Sequence, residues 1–334
     1  MKYRKLGKSD IRVSEIGFGA WTIALDWWGG KKMDDEYAIK MLKRAFDLGI
    51  NFYETADIYG NGKSERLLSQ AFKGFKREEL VYSTKWGYDI YSTRQVGHNE
   101  MPQKHDKDFL RFALQMSMER LEAQYIDVYS LHNPKMAAIQ DNSIYQSLDS
   151  LVLDGKIRSY GVALGPAIGW MEEGLLAMKT RDITCLQTVY NILEQDPGRT
   201  FLDLSNQYDV GIIVRVPDAS GILTGKVSAD TTFDKNDHRG SRKREWILEA
   251  LQKVENMRDI AKSKGWNITE LAFKFILSRK EISVILPTLL DISELEKIVG
   301  LSDGNYLDED SMLQISELHN NNFNLNPHQS HMHS

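Results

Sequence analysis

The stretch KDFLRFALQMSMERLEAQYIDVYSLHNP, residues 107–134, contains one copy of the unit that decides the fold. Residues 107–121 are predicted to form a helix, and residues 126–131 form a short apolar run that is typical of a buried strand. The same order of strand and helix recurs from residue 15 to residue 300. The fold class therefore follows from counting how often this unit repeats.

Eight strands are predicted, at residues 15–20, 50–53, 80–85, 126–131, 159–164, 185–190, 211–216 and 283–286. The predicted helices begin near residue 34 and continue at 64–72, 107–121, 144–153, 170–179, 200–208, 245–262, 269–278 and 292–299. In the first helix Ile39, Leu42 and Phe46 recur at spacings of three and four, and Asp34 or Asp35 can cap its start.

Sustained alternation of this kind predicts a parallel sheet, and eight repeats allow the sheet to close into a (β/α)8 TIM barrel. An open, doubly wound sheet is the main alternative, but no GxGxxG turn follows the first strand. Residues 1–12 precede the barrel and are expected to form an N-terminal β-hairpin over its bottom.

We predict a single domain over residues 1–318, because no segment resembles an interdomain linker. Residues 319–334 are polar and rich in asparagine, and we predict a disordered tail there. Its three histidines, His328, His331 and His333, have no acidic or cysteine partner nearby in sequence, so a solvated tail is preferred to a metal site.

The composition restricts the function. The net charge of -5 gives no electrostatic reason to expect nucleic acid as a partner. No apolar run reaches the roughly 18 residues that a membrane span needs, and the first residues do not resemble a signal peptide. Cys185 is the only cysteine, which excludes a disulfide within the chain and favours a cytoplasmic location.

Functional side chains of such barrels project from the C-terminal ends of the strands. Glu54, Tyr59, Lys85 and His132 follow three of these ends. A tyrosine has an unperturbed pKa of about 10, and a nearby lysine is expected to lower it. The carboxylate would keep the lysine charged, and the histidine would bind a carbonyl. Taken singly, Tyr59 could cap a loop and His132 could be an ordinary core histidine, so the joint placement carries the interpretation.

Several motifs in order resemble the aldo-keto reductase family from residue 6 to about residue 300. They are LGKSDIRVSEIGFGAW (6–21), NFYETADIYGNGKSE (51–65), STKWG (83–87), IDVYSLHNP (126–134), YGVALG (160–165), LQTVYN (186–191), ASGILTGK (219–226) and DHR (237–239). The resemblance implies reduction of an aldehyde or ketone with NAD(P)H, with Tyr59 as general acid, Lys85 as the residue that lowers its pKa and His132 as the residue that orients the carbonyl. Glu54 stands at the family's aspartate.

The resemblance also assigns the cofactor. Gln187 matches a contact to the nicotinamide carboxamide. The residues that match elements holding the pyrophosphate are Arg215, Pro217, Asp218, Ser220, Gly221, Lys226 and Arg239. Arginine and lysine suit the charge of phosphate.

The chain departs from the family pattern at the strand ends. Glu54 keeps the charge of aspartate but adds one methylene, which predicts a rearranged ion pair and altered chemistry. Ala163 and Leu164 replace a serine and an asparagine that hold the nicotinamide amide. Arg215 replaces an aromatic residue that stacks on nicotinamide, and its charge would oppose the oxidised ring.

The residues after the last strand and the family preference predict different cofactors. Leu290 stands where a basic residue meets the 2′-phosphate of NADP, and Glu294 and Ile298 replace amides near the adenosine. These residues favour NAD(H), whereas the family as a whole prefers NADP(H), and Arg239 or a lysine of the long loop could still supply charge. We expect NADP(H) on the family preference, with NAD(H) as the alternative.

Two other functions remain open. The substitutions in the cofactor site also fit a non-catalytic nucleotide-binding barrel that acts as a sensor or regulatory subunit, although Tyr59, Lys85 and His132 are all retained. A hydrolase or lyase barrel would need a metal cluster or paired carboxylates at the strand ends, which the sequence lacks. For the reductase, Trp21, Trp27, Trp28 and Trp86 are expected to make a pocket for a small apolar or aromatic carbonyl, or else to pack under the loops.

Overall fold

The computed structural model describes residues 1–28, 32–96, 101–165, 169–234 and 237–325. The first two strands form an antiparallel hairpin, with β1 (Tyr3–Lys5) paired to β2 (Arg12–Ser14). Arg4 attaches the hairpin to the rest of the chain, because its guanidinium donates to the carbonyls of Arg279 at 2.6 Å and Ile282 at 2.7 Å. The predicted N-terminal hairpin is thereby confirmed.

The other eight strands form one sheet in which every neighbouring pair is parallel. They are β3 (Phe18–Gly19), β4 (Phe52–Glu54), β5 (Val81–Trp86), β6 (Ile126–His132), β7 (Ile157–Ala163), β8 (Cys185–Val189), β9 (Gly211–Arg215) and β10 (Ile282–Leu286). A parallel bridge between Ile16 and Ile285 joins the two edges. This arrangement confirms the predicted TIM barrel.

The helices alternate with these strands and cover the outside of the barrel. They are α1 (Asp35–Asp47), α2 (Lys63–Ala71), α3 (Lys107–Leu121), α4 (Met136–Gln140), α5 (Asn142–Leu153), α6 (Met171–Thr180), α7 (Gly198–Tyr208), α8 (Arg244–Asn256), α9 (Arg258–Ser263), α10 (Ile268–Leu277), α11 (Ile292–Gly300) and α12 (Glu309–Asn320). The helix predicted over 245–262 is interrupted at Met257, and α4 and α12 were not predicted.

Several helices begin at an acidic or amide residue whose side chain accepts a backbone N–H. The Asp34 carboxylate accepts from the amide of Tyr37 at 3.0 Å, as expected for the cap of α1. Asn267 and Glu270 form a reciprocal capping box at the start of α10. Each cap satisfies donors that the first helical turn leaves unpaired, so the sequence itself sets these helix starts.

Two layers of apolar side chains make the core. Alternate residues of a strand point to opposite faces of the sheet. One cluster of buried residues lies inside the barrel and includes residues of the N-terminal hairpin segment. Its members are Leu6, Ile11, Val13, Phe52, Val81, Val128, Cys185, Ile213, Val284 and Leu286. Counting by twos from these residues, Glu54, Lys85, His132, Gln187 and Arg215 also face the barrel interior, at its C-terminal end.

The chain remains ordered beyond the predicted domain boundary at residue 318. Helix α12 continues to Asn320, and the turn that follows buries the ring of Phe323, which is 1 % exposed. The Asn256 side chain donates to the carbonyl of Phe323 at 2.5 Å. Where the sequence predicts a disordered tail, residues 319–325 thus form the end of a helix and a turn with Phe323 as an apolar anchor. Residues 326–334, with His328, His331 and His333, lie outside the described residues.

Candidate active site

Lys85 stands at the centre of the site, inside the mouth of the barrel and only 2 % exposed. Its ammonium forms an ion pair with Glu54 and donates to the carbonyl of Thr55 at 2.7 Å and to the hydroxyl of Tyr59 at 3.2 Å. Burial alone would lower the pKa of Lys85, but Glu54 and Tyr59 raise it above its ordinary value. Lys85 therefore stays charged within reach of the tyrosine.

The longer side chain of Glu54 keeps its ion pair with Lys85 and gains a second contact. The Gln187 amide donates to the same Glu54 oxygen at 3.1 Å. A carboxylate from β4 thus links a lysine on β5 to a glutamine on β8 across the barrel.

The pKa of Tyr59 differs in direction from the sequence-based expectation. Burial raises the pKa of the phenol and the charge of Glu54 raises it further, whereas Lys85 and Arg215 lower it by less. Lys85 lowers the pKa of Tyr59, as expected, but burial first and the charge of Glu54 second raise it by more. Tyr59 consequently keeps its proton at neutral pH and can act as an acid.

His132 ends β6 beside the tyrosine. The Tyr59 ring meets the His132 ring edge-on at 5.9 Å, and the Tyr88 ring does the same at 5.1 Å. Burial, with added repulsion from Lys85 and Arg215, holds the pKa of His132 well below its usual value. The ring is therefore neutral at physiological pH and carries one N–H that can donate to an oxygen atom.

His105 is a residue that the sequence reading missed. Its ring packs edge-on against Trp86 at 5.4 Å, and the backbone of His132 acts on its pKa. Burial lowers the pKa of His105 to about 4, so this second imidazole is also uncharged at neutral pH. A substituent on Gly87 would come within 2.2 Å of the His105 ring, so glycine is required for this packing.

The four tryptophans considered for a substrate pocket do not all lie together. Trp21 and Trp28 meet edge-on at 5.9 Å on the β3–α1 loop, and the carbonyl of Trp27, on the same loop, accepts from the amide of His238. Trp86 instead stacks on Tyr129 at 6.2 Å and is fully buried. Of the two roles left open for Trp86, packing is therefore the one that the structure supports, because Lys85 faces the interior and the next residue must face the outer layer.

The departures at β7 lie beside the same group. Ala163 pairs in register with His132 on one side and Gln187 on the other. The Leu164 amide donates to the Gln187 carbonyl at 2.9 Å, so its backbone is used within the barrel. Neither side chain offers a polar atom, so polar side-chain contacts at the end of β7 must come from the neighbouring strands, through His132 and Gln187.

The segment after β9 folds back in an unusual conformation. Val216, Ala219 and Ser220 have φ of 55°, 48° and 57°, a region that side chains other than glycine rarely adopt. The Asn191 side chain holds this turn by donating to the Val216 carbonyl at 3.0 Å. Pro217 and Gly221 complete the turn, and strain of this kind persists where the surrounding structure enforces it.

A cavity of about 980 Å³ opens beside this segment. Asp218 lines it and is 4 % exposed, and its Oδ1 atom has no hydrogen-bond partner among the described residues. Lys226 and Glu294 lie on the same wall and form an ion pair at 3.1 Å. The cavity walls also include Ile298. A polar ligand atom would satisfy the buried oxygen of Asp218.

Arg239 does not present a free charge to this cavity. Its guanidinium donates to Asp237 at 2.6 Å and 2.9 Å and lies 4.3 Å from the Trp28 ring and 4.4 Å from the Phe233 ring. Arg239 therefore links the segment after β9 to the β3–α1 loop. Its predicted contact with pyrophosphate stays a prediction.

A family model settles the relationship. The model for the Aldo/keto reductase family matches residues 15–320. The chain belongs to the aldo-keto reductase family. It is thus an oxidoreductase of a family that generally binds NAD(P)H and acts on small carbonyl compounds.

Relatives of this aldo-keto reductase have several names. This chain is 28 % identical over 296 residues to a "probable voltage-gated potassium channel subunit beta" of Oryza sativa subsp. japonica, with 86 % of each chain covered. It is 26 % identical over 292 residues to the aldo-keto reductase YhdN of Bacillus subtilis, covering 86 % of this chain and 84 % of that one. Both the enzyme and the channel subunit therefore share most of this fold.

A solved structure shows the same fold. The glycerol dehydrogenase AKR11B4 from Gluconobacter oxydans superposes with a TM-score of 0.80 at 22 % identity, over 97 % of this chain and 98 % of that one. In the described part of this aldo-keto reductase, no helix is long and apolar enough to cross a membrane. The same residues contain no group of three or more histidine, cysteine or acidic side chains placed to bind a metal ion.

Proposed function

We propose that this protein reduces an aldehyde or ketone to an alcohol with NAD(P)H, and that Tyr59 donates the proton. The observation that carries the proposal is the buried contact of the Tyr59 hydroxyl with the Lys85 ammonium at 3.2 Å, beside the neutral ring of His132. A carbonyl oxygen placed between Tyr59 and His132 would meet two donors. Both donors are most useful when negative charge develops on that oxygen.

The reduction direction suits the protonation states in the site. Because the pKa of Tyr59 is raised, the phenol holds a proton until an alkoxide forms next to it. The phenolate left behind is stabilised by the charge of Lys85, which the ion pair with Glu54 keeps protonated. Proton supply from bulk solvent would then restore the phenol for the next turnover.

The residues around the barrel mouth fit a dinucleotide. NAD(P)H would supply the hydride when bound. Gln187 would bind the carboxamide at the reaction centre, and the cavity beside β9 would take the remainder of the cofactor, with the buried oxygen of Asp218 as one polar contact. We assign the other predicted residues, Arg215, Pro217, Ser220, Gly221, Lys226 and Arg239, to the same segment on the resemblance.

The choice between the two cofactors rests on opposing grounds. The family preference supports NADP(H). The ion pair between Lys226 and Glu294, together with the apolar side chain of Leu290, supports NAD(H), since little free positive charge remains for a 2′-phosphate. We keep NADP(H) as the expected cofactor and NAD(H) as the alternative.

We place the reaction in the cytoplasm, with a small carbonyl compound as partner and neither nucleic acid nor membrane. The net charge of -5 supports this placement, because it offers no attraction for polyanions. The single cysteine, Cys185, is buried and unpaired, as in proteins of reducing compartments. The substrate and the compartment both stay proposals.

A second candidate is a nucleotide-binding regulatory subunit without turnover. The relatives named as potassium channel beta subunits favour it, as do Ala163 and Leu164 at the nicotinamide end. In this case the chain would bind the dinucleotide but reduce no carbonyl. The first experiment separates the two functions.

That experiment is a titration of the purified protein with NADPH and NADH by tryptophan fluorescence, followed by carbonyl reduction assays on wild type and Tyr59→Phe. We expect micromolar binding of one cofactor, and at least a hundredfold lower kcat in the variant, because it loses the general acid. Cofactor affinity should stay nearly unchanged, since the variant lacks only a hydroxyl.

Tyr3→Phe is the matched control, because Tyr3 lies in the hairpin at the opposite end of the barrel. Equal turnover by Tyr59→Phe and wild type would remove Tyr59 from the mechanism. Binding without any turnover in wild type would favour the regulatory subunit, and absence of binding by both cofactors would exclude both candidates.

A further inference from the structure

The side chain of Asn133, directly after His132, is held in a fixed orientation. Its backbone has a φ of 49°, in a region that asparagine tolerates better than most residues. The Gln103 side chain donates to the Asn133 carbonyl at 2.9 Å, and the Asn133 amide Nδ2 donates to the Tyr88 hydroxyl at 2.8 Å. These contacts fix where the other polar atom of the Asn133 amide lies.

That other atom has no partner. Oδ1 of Asn133 is buried and makes no hydrogen bond with any residue that the structure describes. The Tyr88 oxygen accepts from Asn133, and within the described ranges no residue accepts the Tyr88 proton. An unused acceptor and an unused donor therefore lie next to each other. Buried polar atoms are nearly always paired, so a group from outside the chain is expected here.

The pair formed by Asn133 and Tyr88 lies beside the proposed proton donor. The Tyr88 ring meets the His132 ring edge-on at 5.1 Å, and the Tyr59 ring meets the same imidazole edge-on at 5.9 Å. Tyr59 and Tyr88 also pack against one apolar cluster, whose members are Ala56, Ile58, Ile90 and Met101. A carbonyl held by Tyr59 and His132 would therefore lie within reach of the pair.

The cofactor is not the expected partner of this pair. Gln187, which we propose to bind the carboxamide, belongs to β8 and lies on the β7 side of His132. Tyr59 follows β4 and Tyr88 follows β5, so both lie on the other side of His132. The hydrogen bond to Tyr88 turns the Asn133 amide towards that second side. The substrate is the ligand that would lie there.

A hydroxyl group matches both unused atoms. Its O–H can donate to Oδ1 of Asn133, and its oxygen can accept from Tyr88. A carboxylate has no proton to donate to Oδ1, and an ammonium group has no lone pair for the Tyr88 proton. Because a hydroxyl group both donates and accepts, it also fits the pair if the Asn133 amide is turned over.

Resting on the proposed function, we propose that Asn133 and Tyr88 bind a hydroxyl group of the substrate, and that the protein prefers carbonyl compounds with a hydroxyl on the neighbouring carbon. The contact between the Tyr88 and His132 rings places this hydroxyl close to the carbonyl. A site that pairs a substrate hydroxyl discriminates against an analogue without it, because the polar groups of the site are then left unpaired. The expected substrate thus narrows to hydroxy aldehydes and hydroxy ketones.

The test compares 2-hydroxypropanal with 2-methylpropanal, in which a methyl group replaces the hydroxyl. For wild type we expect kcat/KM to be about tenfold higher for the hydroxy aldehyde, the size of one net hydrogen bond. In Tyr88→Phe and Asn133→Leu this ratio should fall by about five- to tenfold. Hydration of the two aldehydes is the same for every protein and cancels when the ratios are compared.

Tyr91→Phe is the matched control, because Tyr91 lies on the same loop but its hydroxyl is held by Arg120 at 3.2 Å. This variant should keep the wild-type ratio. Leucine rarely adopts the backbone conformation of Asn133, so Tyr88→Phe decides the test if Asn133→Leu does not fold.

A binding measurement without turnover separates this inference from the proposed function. Propane-1,2-diol and 2-methylpropan-1-ol, the alcohols that the two aldehydes would give, are titrated into wild type and Tyr88→Phe with NAD(P)H present. Tighter binding of the diol that is lost in the variant supports the pair, even if no aldehyde is reduced and the proposed function fails. Equal binding of both alcohols by wild type overturns the inference.

The same variants identify a role in holding the histidine. If Tyr88→Phe lowers kcat/KM for both aldehydes equally, the ratio stays unchanged and the inference is wrong. In that outcome the proposed reductase activity stands, and Tyr88 and Asn133 only position His132.

Discussion

At the scale of one residue, burial alters the ionisation of Asp218 in the wall of the cavity beside β9. Burial raises its pKa to about 6, and the nearby charge of Glu294 adds to this effect. A carboxyl group with such a pKa is mostly ionised at pH 8 yet lies in a wall with an unpaired oxygen. The residue therefore costs stability in the folded protein without a ligand.

The sign of this cost gives a testable pH dependence. The folded-state pKa lies above the unfolded value, so stability falls as the pH rises from about 4 through 6. We expect Asp218→Asn to be more stable than wild type at pH 8, by at most about 3 kcal/mol from about 1.4 kcal/mol per pKa unit. The gain should shrink towards pH 4, where both side chains are neutral.

Urea unfolding at pH 8 and at pH 5 measures the effect. Asp203→Asn, on the exposed face of α7, is the control and should show little change at either pH. A destabilised Asp218→Asn at pH 8 would show that the interactions of the ionised carboxylate, such as that with Thr288, outweigh the cost of burying its charge.

At the scale of single residues, the sequence could predict the positions of the candidate catalytic residues but not their pKa values. Tyr59, Lys85 and His132 follow strand ends, and strand ends can be read from apolar runs. The raised pKa of Tyr59 depends on burial and on Glu54, which only the folded chain brings together. His105 lies outside any motif, and no sequence signal placed it beside Trp86.

At the scale of elements, the segment after α12 gives a second stability prediction. A chain ending at residue 318 lacks Phe323, whose ring is buried and whose carbonyl accepts from Asn256. We expect this truncation to lose about 3 kcal/mol of unfolding free energy, the usual cost of removing a buried phenylalanine side chain.

A chain ending at residue 325 is the control and should match the full chain, since it keeps the anchor. Thermal and urea unfolding compare the three proteins. If truncation at residue 318 costs nothing, Phe323 contributes no packing energy in solution.

The presence of a helix or strand was predictable wherever apolar residues repeat with a clear period. The eight strands agree with their predicted positions to within two or three residues, apart from the short β3. Helices α4 and α12 escaped prediction because α4 has only five residues and α12 is mostly polar, with only Ser311 and Ile315 buried. The two-residue period of β5 points Trp86 away from Lys85 and already favours packing over a place in the pocket.

At the scale of the whole molecule, the balance of charge around the cavity predicts cofactor preference. Lys226 is 67 % exposed and Glu294 is its partner on α11. Glu294→Gln should free the lysine for a 2′-phosphate and raise the affinity for NADPH relative to NADH. We expect a change of about fivefold, because an exposed ion pair contributes at most about 1 kcal/mol.

Glu296→Gln is the matched control, since Glu296 lies on the same helix but pairs with Arg44. Fluorescence titration with both cofactors gives the ratio for each protein. An unchanged ratio in Glu294→Gln would mean that the 2′-phosphate does not bind near Lys226.

The alternation of β5 also limits how this protein can evolve. Deleting one residue from the strand would bring Trp86 to the position of Lys85 and force the lysine into the apolar outer layer. Insertions and deletions are therefore tolerated only between the strands. New substrates can therefore be acquired through changes in loops outside the segments that carry His105 and Asp218, while Tyr59 and Lys85 stay fixed.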